Sequence, residues 1–450
     1  MHVASPHIAD TRPTLIGYLP PLEGIRKTGA NYLRNTQFIN TGDLVYAYAG
    51  AMLTSGRNFN AWNLHIPVEE VNEKFSKVIF FIPCRIAPPP YDEDGYAYEF
   101  ISNFIERLKI PFFSLSESVQ TNSYTYKVDF HKHLSPKVIR YLKIISEKSE
   151  FIGTRGIYSA EVLNNLGIKN VIPLGCPSLY LNGPSLPISL LHTPTAPQNI
   201  ATCYSNYQKN HHSRIQDFIQ FVNHKNYHYV EQTFGLIPQA IHYPGKILGS
   251  DIRTAEKIYG NLNPILSLLE KGLVHYFTNY TLWKNFLSSM DFAFGARIHG
   301  LITAINSGTP SLFIAHDART REVCEFFNLP FIGEYEMPKK LTIDFFLSQC
   351  DYSSANNSYP AKYQNFSEKL HTHGIGQNIA PNGHIIDNWT PESDSHVLTE
   401  ETTKPLHPDE IISLTEQIDI CSKISDDTFN QLMEIRRISQ SLYNHRIKRC

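Results

Sequence analysis

Short apolar runs alternate with amphipathic segments along about the first 330 residues of the chain. Runs such as SKVIFFIPCRI at 76–86 and DFAFGA at 291–296 predict buried strands. In GDLVYAYAGAML at 42–53 and EFISNFIERLKI at 99–110, the apolar residues recur with the spacing of a helix. Strands that alternate with helices are typical of parallel sheets covered by helices on both faces. The pattern therefore predicts an α/β protein.

The alternation is interrupted by a proline-rich segment and is lost near the end of the chain. Prolines break any regular element within 182–199, and the alternation then begins again. Two such halves predict two Rossmann-type domains with a cleft between them. We therefore expect an N-terminal Rossmann-like domain at 1–181, a linker at 182–199 and a C-terminal Rossmann-like domain at 200–345. A polar segment and a helical extension follow at 346–450.

Composition and charge narrow the possible functions. The net charge of −2 over 450 residues predicts no general attraction to nucleic acid. The seven cysteines are scattered singly, which argues against a disulfide framework and fits a reducing compartment. We expect a cytoplasmic protein, because no secretory leader and no apolar run of membrane-spanning length are visible. The basic end EIRRISQSLYNHRIKRC leaves a peripheral membrane contact open, although such helix ends are usually just solvated.

Arg297 and His299 lie between the strand DFAFGA and the small-residue helix GLITAINSG. Ligands of open parallel sheets bind where a strand's carboxyl end meets a helix, and the helix N-terminus favours an anion. Arg297 adds a permanent charge, and His299 can exchange a proton near neutral pH. The turn thus predicts a site for an anionic substrate that undergoes proton transfer. A helix cap and an arginine–carboxylate pair are the structural alternative.

A second strand–helix turn follows one unit later, in IAHDARTREVCEFF. Its polar residues are His316, Asp317, Arg319 and Arg321. Adjacent strands of a parallel sheet end at the same edge, so we expect this cluster to face the cleft beside Arg297. The two turns together could hold a phosphate and a carboxylate, whereas a solvated helix start is the alternative.

The first strand–helix turn of the second half, CYSNYQKNHHSRIQ, should open on the same cleft. Its residues His211, His212 and Arg214 are therefore candidates for contact with a substrate.

The run SSMDFAFGARIHGLITAINSGTPSLFIAHDARTREVCEFFNLPFI resembles the polysaccharide pyruvyl transferase family. Members typically show an R-[ILMF]-H-[AG] turn, a small-residue helix, a G-[TVI]-P turn and a [YHN]-D turn with basic residues. The segments NTGDLVYAYAGAML and FIGTRGIYSAEVLNNLGIKNVIPLGCPSLYL are similar to earlier parts of the family pattern. The resemblance extends over about residues 14–375.

The resemblance implies a GT-B-like fold whose N-terminal domain holds the acceptor and whose C-terminal domain holds the donor. It implies transfer of pyruvate from phosphoenolpyruvate to hydroxyls of a sugar or polysaccharide, forming a ketal and releasing phosphate. Arg297 would bind the anionic donor, and His299 would bind it or act as the acid. Phosphoenolpyruvate is then a substrate, no cofactor is needed, and no HExxH or paired-cysteine motif predicts a metal.

Asn40 and Asp43 of the NTGD turn are the expected acceptor contacts, with an ordinary turn and helix cap as the alternative. Many family members have an acidic residue directly after the arginine of TRGIYS, where this chain has Gly156. We therefore interpret Arg155 and Ser159 as a structural turn.

Two other functions compete with pyruvyl transfer. A GT-B glycosyltransferase or an epimerase acting on a nucleotide sugar would share the two-domain plan. Directly after the RxH turn no E-x7-E pair occurs, since Glu325 and Glu334 miss that spacing by one residue, and this argues modestly against that reading. A catalytically inactive relative that binds sugar is the non-enzyme alternative.

Overall fold

The structure is a computed structural model of the chain. It describes the following residues: 12, 14–17, 40–54, 57–59, 66–81, 85–87, 95–121, 130–188, 197–204, 212–233, 235–242, 249–277, 279–375, 379–380 and 408–423.

Thirteen strands are formed by short apolar runs of the described residues. Their bounds are β1 Thr14–Gly17, β2 Arg57–Phe59, β3 Lys77–Phe80, β4 Arg85–Ile86, β5 Phe112–Val119, β6 Ser149–Thr154, β7 Val171–Pro173, β8 Ile200–Cys203, β9 His228–Glu231, β10 Val274–Tyr276, β11 Phe292–Gly295, β12 Ser311–Ala315 and β13 Phe331–Gly333.

Fifteen helices are formed by the amphipathic segments of the same residues. Their bounds are α1 Gly42–Leu53, α2 Val68–Lys74, α3 Gly95–Glu106, α4 Pro136–Lys148, α5 Ile157–Asn165, α6 His212–Lys225, α7 Leu236–His242, α8 Gly249–Tyr259, α9 Asn263–Glu270, α10 Tyr280–Ser288, α11 Ile298–Asn306, α12 Ala318–Phe327, α13 Ile343–Ser348, α14 Ser353–Thr372 and α15 Pro408–Lys423.

The first sheet has the strand order β2-β1-β3-β5-β6-β7, and β4 pairs with β5. Its pairs are parallel. Every residue of β5 is buried, as expected for a parallel strand that helices cover on both faces. The pairing of β5 with β6 shifts register twice, between Phe112 and Ser114 and again between Ser114 and Glu117. Ser116 lies within the second shift and has a φ of 77°, which is rare for a residue other than glycine.

The second sheet has the strand order β10-β9-β8-β11-β12-β13, and its pairs from β9 to β13 are parallel. The carboxyl ends of neighbouring strands β11 and β12 therefore lie side by side at one edge. Helices α11 and α12 begin directly after these two strands. The turn between β11 and α11 and the turn between β12 and α12 therefore lie next to each other at this edge.

The chain forms two compact units. The larger contains 1–205, 227–233 and 277–402, and the smaller contains 206–226, 234–276 and 403–450. Strands β1 to β9 and β11 to β13 belong to the larger unit. Helices α6 to α9, α15 and strand β10 belong to the smaller unit.

The α/β class and the GT-B-like succession of two Rossmann-type sheets are confirmed. Helix α1 has the bounds predicted from its pattern, whereas α3 begins at Gly95, four residues before the predicted start at Glu99. The predicted strand at 76–86 is interrupted, because β3 and β4 are separate strands. The boundaries placed at 181, 199 and 345 stay a prediction.

Candidate active site

The Arg297-Ile298-His299 turn joins β11 to α11, as the sequence predicts. Arg297 is the N-cap residue of α11, and its backbone N–H donates to the carbonyl oxygen of Cys203 at 2.8 Å. Its guanidinium Nη2 donates to Oγ1 of Thr233. The turn is thereby fixed to the ends of β8 and β9, two strands of the same sheet.

His299 is only 5% exposed, and the residue after it must be small. A β-carbon added at Gly300 would lie 2.5 Å from Nε2 of Gln232 and 2.7 Å from Sγ of Cys203. Real β-carbons do not approach neighbours so closely, so the glycine lets α11 begin against the strand ends. The small residue after the histidine therefore has a packing reason in this chain.

The predicted acceptor turn lies against the same place. Asn40 forms an antiparallel bridge with Thr233, and the backbone N–H of Thr41 donates to the carbonyl oxygen of Gln232 at 2.7 Å. A β-carbon at Gly42 would lie 3.1 Å from Cβ of His299. The structure thus brings the turn beside His299, whereas contact of Asn40 and Asp43 with an acceptor stays a prediction.

Arg155, interpreted from the sequence as structural, belongs to the same cluster. Its side chain is 2% exposed, and its Cζ lies 4.9 Å from the ring centroid of Tyr46. The Tyr46 ring centroid is in turn 6.1 Å from that of His299. Nε of Arg155 donates to Oγ of Ser116 at 3.0 Å, while its Nη2 has no hydrogen-bond partner among the described residues. Arg155 follows the carboxyl end of β6, so the strand-end rule could have singled it out.

The electrostatic surroundings keep His299 neutral. Burial lowers the pKa of His299 well below its usual range. The positive charges of Arg155, Arg319 and Arg297 lower this pKa further. Within the part of the chain that the structure describes, Nε2 of His299 makes no hydrogen bond. A buried imidazole among three guanidinium groups is a centre that favours an anion and disfavours a proton.

The second turn reaches the same centre through Arg319. Asp317 caps α12, its Oδ1 accepting from the backbone N–H of Thr320 at 2.8 Å, and its Oδ2 accepts from Nη2 of Arg319 at 2.9 Å. Burial alone would raise the pKa of Asp317, but the charge of Arg319 prevails and holds it well below the usual range. Nε2 of His316 lies 3.8 Å from Oδ2 of Asp317. The adjacency of the two turns is as expected for neighbouring parallel strands.

The remaining candidates are paired elsewhere, belong to the smaller unit or lie outside the described residues. Nε of Arg321 donates to Oε1 of Glu325 at 2.6 Å, an i,i+4 pair along α12. Helix α6, which carries Arg214, belongs to the smaller unit. His211 and the side chain of His212 lie outside the described residues. Contact of these four residues with a substrate stays a prediction.

The described residues also bear on two requirements, those of a metal site and those of a membrane-spanning helix. No group of three or more His, Cys, Asp or Glu residues in the described ranges could hold a metal ion. Among the described helices, none combines the length and the apolarity that crossing a bilayer requires.

The fold and the site define an α/β protein with a buried cationic centre at the carboxyl edge of a parallel sheet. The sequence profile of the polysaccharide pyruvyl transferase family matches residues 90–318, just over half of the chain. The protein belongs to this family, and the resemblance found in its sequence is confirmed. The matched range includes Arg155, Arg297 and His299. No curated protein matches the sequence.

Solved structures of low sequence identity are similar over most of the chain. A putative UDP-N-acetylglucosamine 2-epimerase from Listeria monocytogenes is 9% identical, with a TM-score of 0.38 over 81% of this chain and 97% of its own. The Anabaena protein HepE, in complex with UDP and glucose, is 10% identical, with a TM-score of 0.41 over 80% and 99%. UDP-GlcNAc 2-epimerase from Neisseria meningitidis, bound to UDP-GlcNAc, is 11% identical, with a TM-score of 0.38 over 80% and 98%.

Proposed function

We propose that the protein transfers the pyruvyl group of phosphoenolpyruvate to hydroxyls of a sugar or polysaccharide, forming a ketal and releasing phosphate. The observation that supports this most is the neutral, buried His299 surrounded by Arg155, Arg297 and Arg319. Phosphoenolpyruvate carries a carboxylate and a phosphate on one small carbon frame. Several guanidinium groups around one proton-transfer residue suit such a donor.

The donor would supply the hydrogen-bond acceptors that the protein lacks at this centre. Nη2 of Arg155 and Nε2 of His299 are buried and have no partner in the described chain. A buried hydrogen-bond donor group that stays unpaired costs about 1–3 kcal/mol, so an anion that pairs with such a group is bound favourably. The positive charges of Arg297 and Arg319 would attract the negatively charged carboxylate and phosphate of phosphoenolpyruvate.

Donor binding would also change the protonation of His299. Burial and the three arginines hold the pKa of His299 low, and the negative charges of phosphoenolpyruvate would offset the arginines and so raise this pKa. Protonated His299 could then give its proton to the methylene carbon of the donor. Protonation makes C2 electrophilic, because the positive charge that develops there is shared with the bridging oxygen.

The bond changes balance without a further reactant. A sugar hydroxyl adds to C2, the phosphate leaves with its C–O bond electrons, and a second hydroxyl closes the ketal. Of the two hydroxyl protons, one replaces the proton spent on the methyl group and the other leaves with phosphate. The arginines would stabilise the charge on the departing phosphate. The turn of Asn40 and Asp43 lies beside His299 and would approach the acceptor.

Titration calorimetry with phosphoenolpyruvate tests the donor, and phosphate release with a panel of sugars tests the transfer. We expect wild-type protein to bind phosphoenolpyruvate and Arg297→Ala to lose at least about tenfold in affinity. Arg140→Ala is the control, because Arg140 forms an exposed pair with Glu106 on α3. Binding of UDP-sugars without binding of phosphoenolpyruvate would instead favour the glycosyltransferase or epimerase alternative.

A further inference from the structure

The buried carboxyl group of Glu322, on α12, caps α5, a helix of the first sheet. Oε1 of Glu322 accepts from Oγ of Ser159 at 2.7 Å, and its Oε2 accepts from the backbone N–H of Ser159 at 3.0 Å. Ser159 lies in the first turn of α5, whose N–H groups have no partners within the helix. Glu322 is 2% exposed, so these contacts are shielded from water.

The same junction includes the end of β5. Oγ of Ser159 accepts from the backbone N–H of Val119 at 2.8 Å, and the backbone N–H of Ala318 donates to the carbonyl oxygen of Thr121 at 3.2 Å. Hydrogen bonds thus join the first turn of α5 to the end of β5 and to Glu322 of α12, and a separate one joins the start of α12 to Thr121.

The turn that carries Arg155 approaches α12 more closely than a side chain would permit. A β-carbon at Gly156 would lie 2.9 Å from Oε2 of Glu322 and 3.0 Å from its Cβ and its carbonyl oxygen. Arg155 is the residue before this glycine, and Arg319 is on the same helix as Glu322. Two cations that surround His299, one from each sheet, are therefore linked through this contact.

We propose that Glu322 is a positioning residue, which sets the Arg155 turn of the first sheet against α12 and so assembles the donor site from both sheets. The proposal rests on the proposed function in that phosphoenolpyruvate is the ligand. The geometry assigns the role to the two hydrogen bonds with Ser159 and not to the negative charge. A neutral side chain of the same shape should therefore preserve it.

The test compares Glu322→Ala with Glu322→Gln by calorimetric titration of the full chain with phosphoenolpyruvate. A glutamine can accept from the N–H of Ser159 and donate to its Oγ, whereas an alanine reaches neither. We expect the alanine variant to lose at least about tenfold in affinity and the glutamine variant to stay within about threefold. Glu161→Ala, on the exposed face of α5, is the matched control and should bind as wild type does.

Three results would overturn the proposal. Equal loss in both Glu322 variants would mean that the two hydrogen bonds with Ser159 do not account for the role. A lower thermal midpoint in the alanine variant with unchanged affinity would reduce the contact to ordinary packing. If Glu322→Ala does not fold, Ser159→Ala takes its place, and unchanged affinity in that variant is contrary to the proposal.

Amide hydrogen exchange separates this proposal from the proposed function. The backbone N–H of Arg155 donates to the carbonyl oxygen of Glu117 at 3.0 Å. If the turn depends on Glu322, this amide exchanges faster in Glu322→Ala and as in wild type in Glu322→Gln, with no ligand present. If wild-type protein fails to bind phosphoenolpyruvate, the proposed function falls and this exchange result alone decides the role of Glu322.

Discussion

The imidazole of His299 and the phenol ring of Tyr46 lie 6.1 Å apart between centroids, at an angle of 50°. Tyr46 is on α1, before most of the first sheet, and His299 is on α11, after β11 of the second. The hydroxyl of Tyr46 donates to the carbonyl oxygen of Leu115 at 3.1 Å, and the Arg155 guanidinium covers the ring. His299, the candidate proton-transfer residue, thus packs against an aromatic ring from α1, which follows β1 of the first sheet.

Proton uptake should accompany donor binding. Because burial and the arginines hold the pKa of His299 low, free protein carries a neutral imidazole, which should take up a proton from solvent when the negatively charged donor binds. Calorimetry at pH 8, in buffers of different ionisation enthalpy, should show uptake of up to about one proton on binding of phosphoenolpyruvate. His299→Gln should abolish this uptake, while His133→Gln, an exposed control, should retain it. Equal uptake in both variants would remove His299 from this role.

Replacement of Arg155 by lysine should weaken donor binding although the charge is kept. In Arg155, Nε donates to Oγ of Ser116 while Nη2 remains available to a ligand. A lysine has a single terminal nitrogen and cannot reproduce this fixed pair of positions. We expect a loss of about tenfold or more in affinity for phosphoenolpyruvate by calorimetry. Arg140→Lys, on the exposed face of α4, should change it less than about twofold. An Arg155→Lys variant with wild-type affinity would return Arg155 to a purely structural role.

A methyl group at Gly300 should destabilise the protein and disturb the site. The added carbon would lie 2.7 Å from Sγ and 2.9 Å from Cβ of Cys203 at the end of β8, so α11 or this strand end must move. We expect a loss of about 1–3 kcal/mol in the free energy of unfolding, measured in denaturant. Gly235→Ala is the control, because no described atom lies within 4 Å of a β-carbon there. Equal stabilities of the two variants would contradict the close approach.

The free energy of unfolding should fall as pH rises from about 4.3 to about 7 because of Glu117. Burial raises the pKa of Glu117 to about 7, so the folded chain holds a proton that the unfolded chain, with a pKa of about 4.3, has lost. This one group contributes a slope of at most about 1.4 kcal/mol per pH unit. The slope is close to zero below the pKa of the unfolded chain and becomes zero again above the pKa of the folded chain.

Glu117→Gln isolates this contribution, because glutamine can still accept from Ser114 and Tyr141 on one oxygen. Denaturant unfolding at several pH values should show a flatter profile for the variant between about pH 4.3 and 7. Glu147→Gln, an exposed carboxyl of α4, should leave the wild-type slope in place. If Glu117→Gln keeps the full slope, another group causes it.

Local patterns were sufficient for the general succession of strands and helices and for one half of the candidate site. The apolar run of β11 and the small residues after it placed Arg297 and His299 at a strand end. Parallel order then predicted that the Arg319 turn would face the same centre, and the charge of Arg319 does act on His299. These inferences needed only periodicity and the geometry of one sheet.

The other half of the site depends on contacts between sheets, which no local pattern encodes. The sequence shows Gly156 where many family members have an acidic residue, and this favours a structural role for Arg155. In the structure, Gly156 instead leaves room for the side chain of Glu322. The φ of 77° at Ser116, which lets its Oγ accept from Arg155, has no signal in the run PFFSLSESV. Gln232 and its contact with the Thr41 turn likewise follow from how the two sheets pack.

The division of the centre between the two sheets means that neither half of the sequence possesses it alone. A fragment of residues 1–188 would retain β1 to β7 with Tyr46 and Arg155, and one of 197–450 would retain Arg297 and His299. Each fragment would hold an incomplete set of guanidinium groups, so donor affinity would arise only when the fragments reassociate. Under the proposed function, pyruvyl transfer would then report complementation between separately expressed chains.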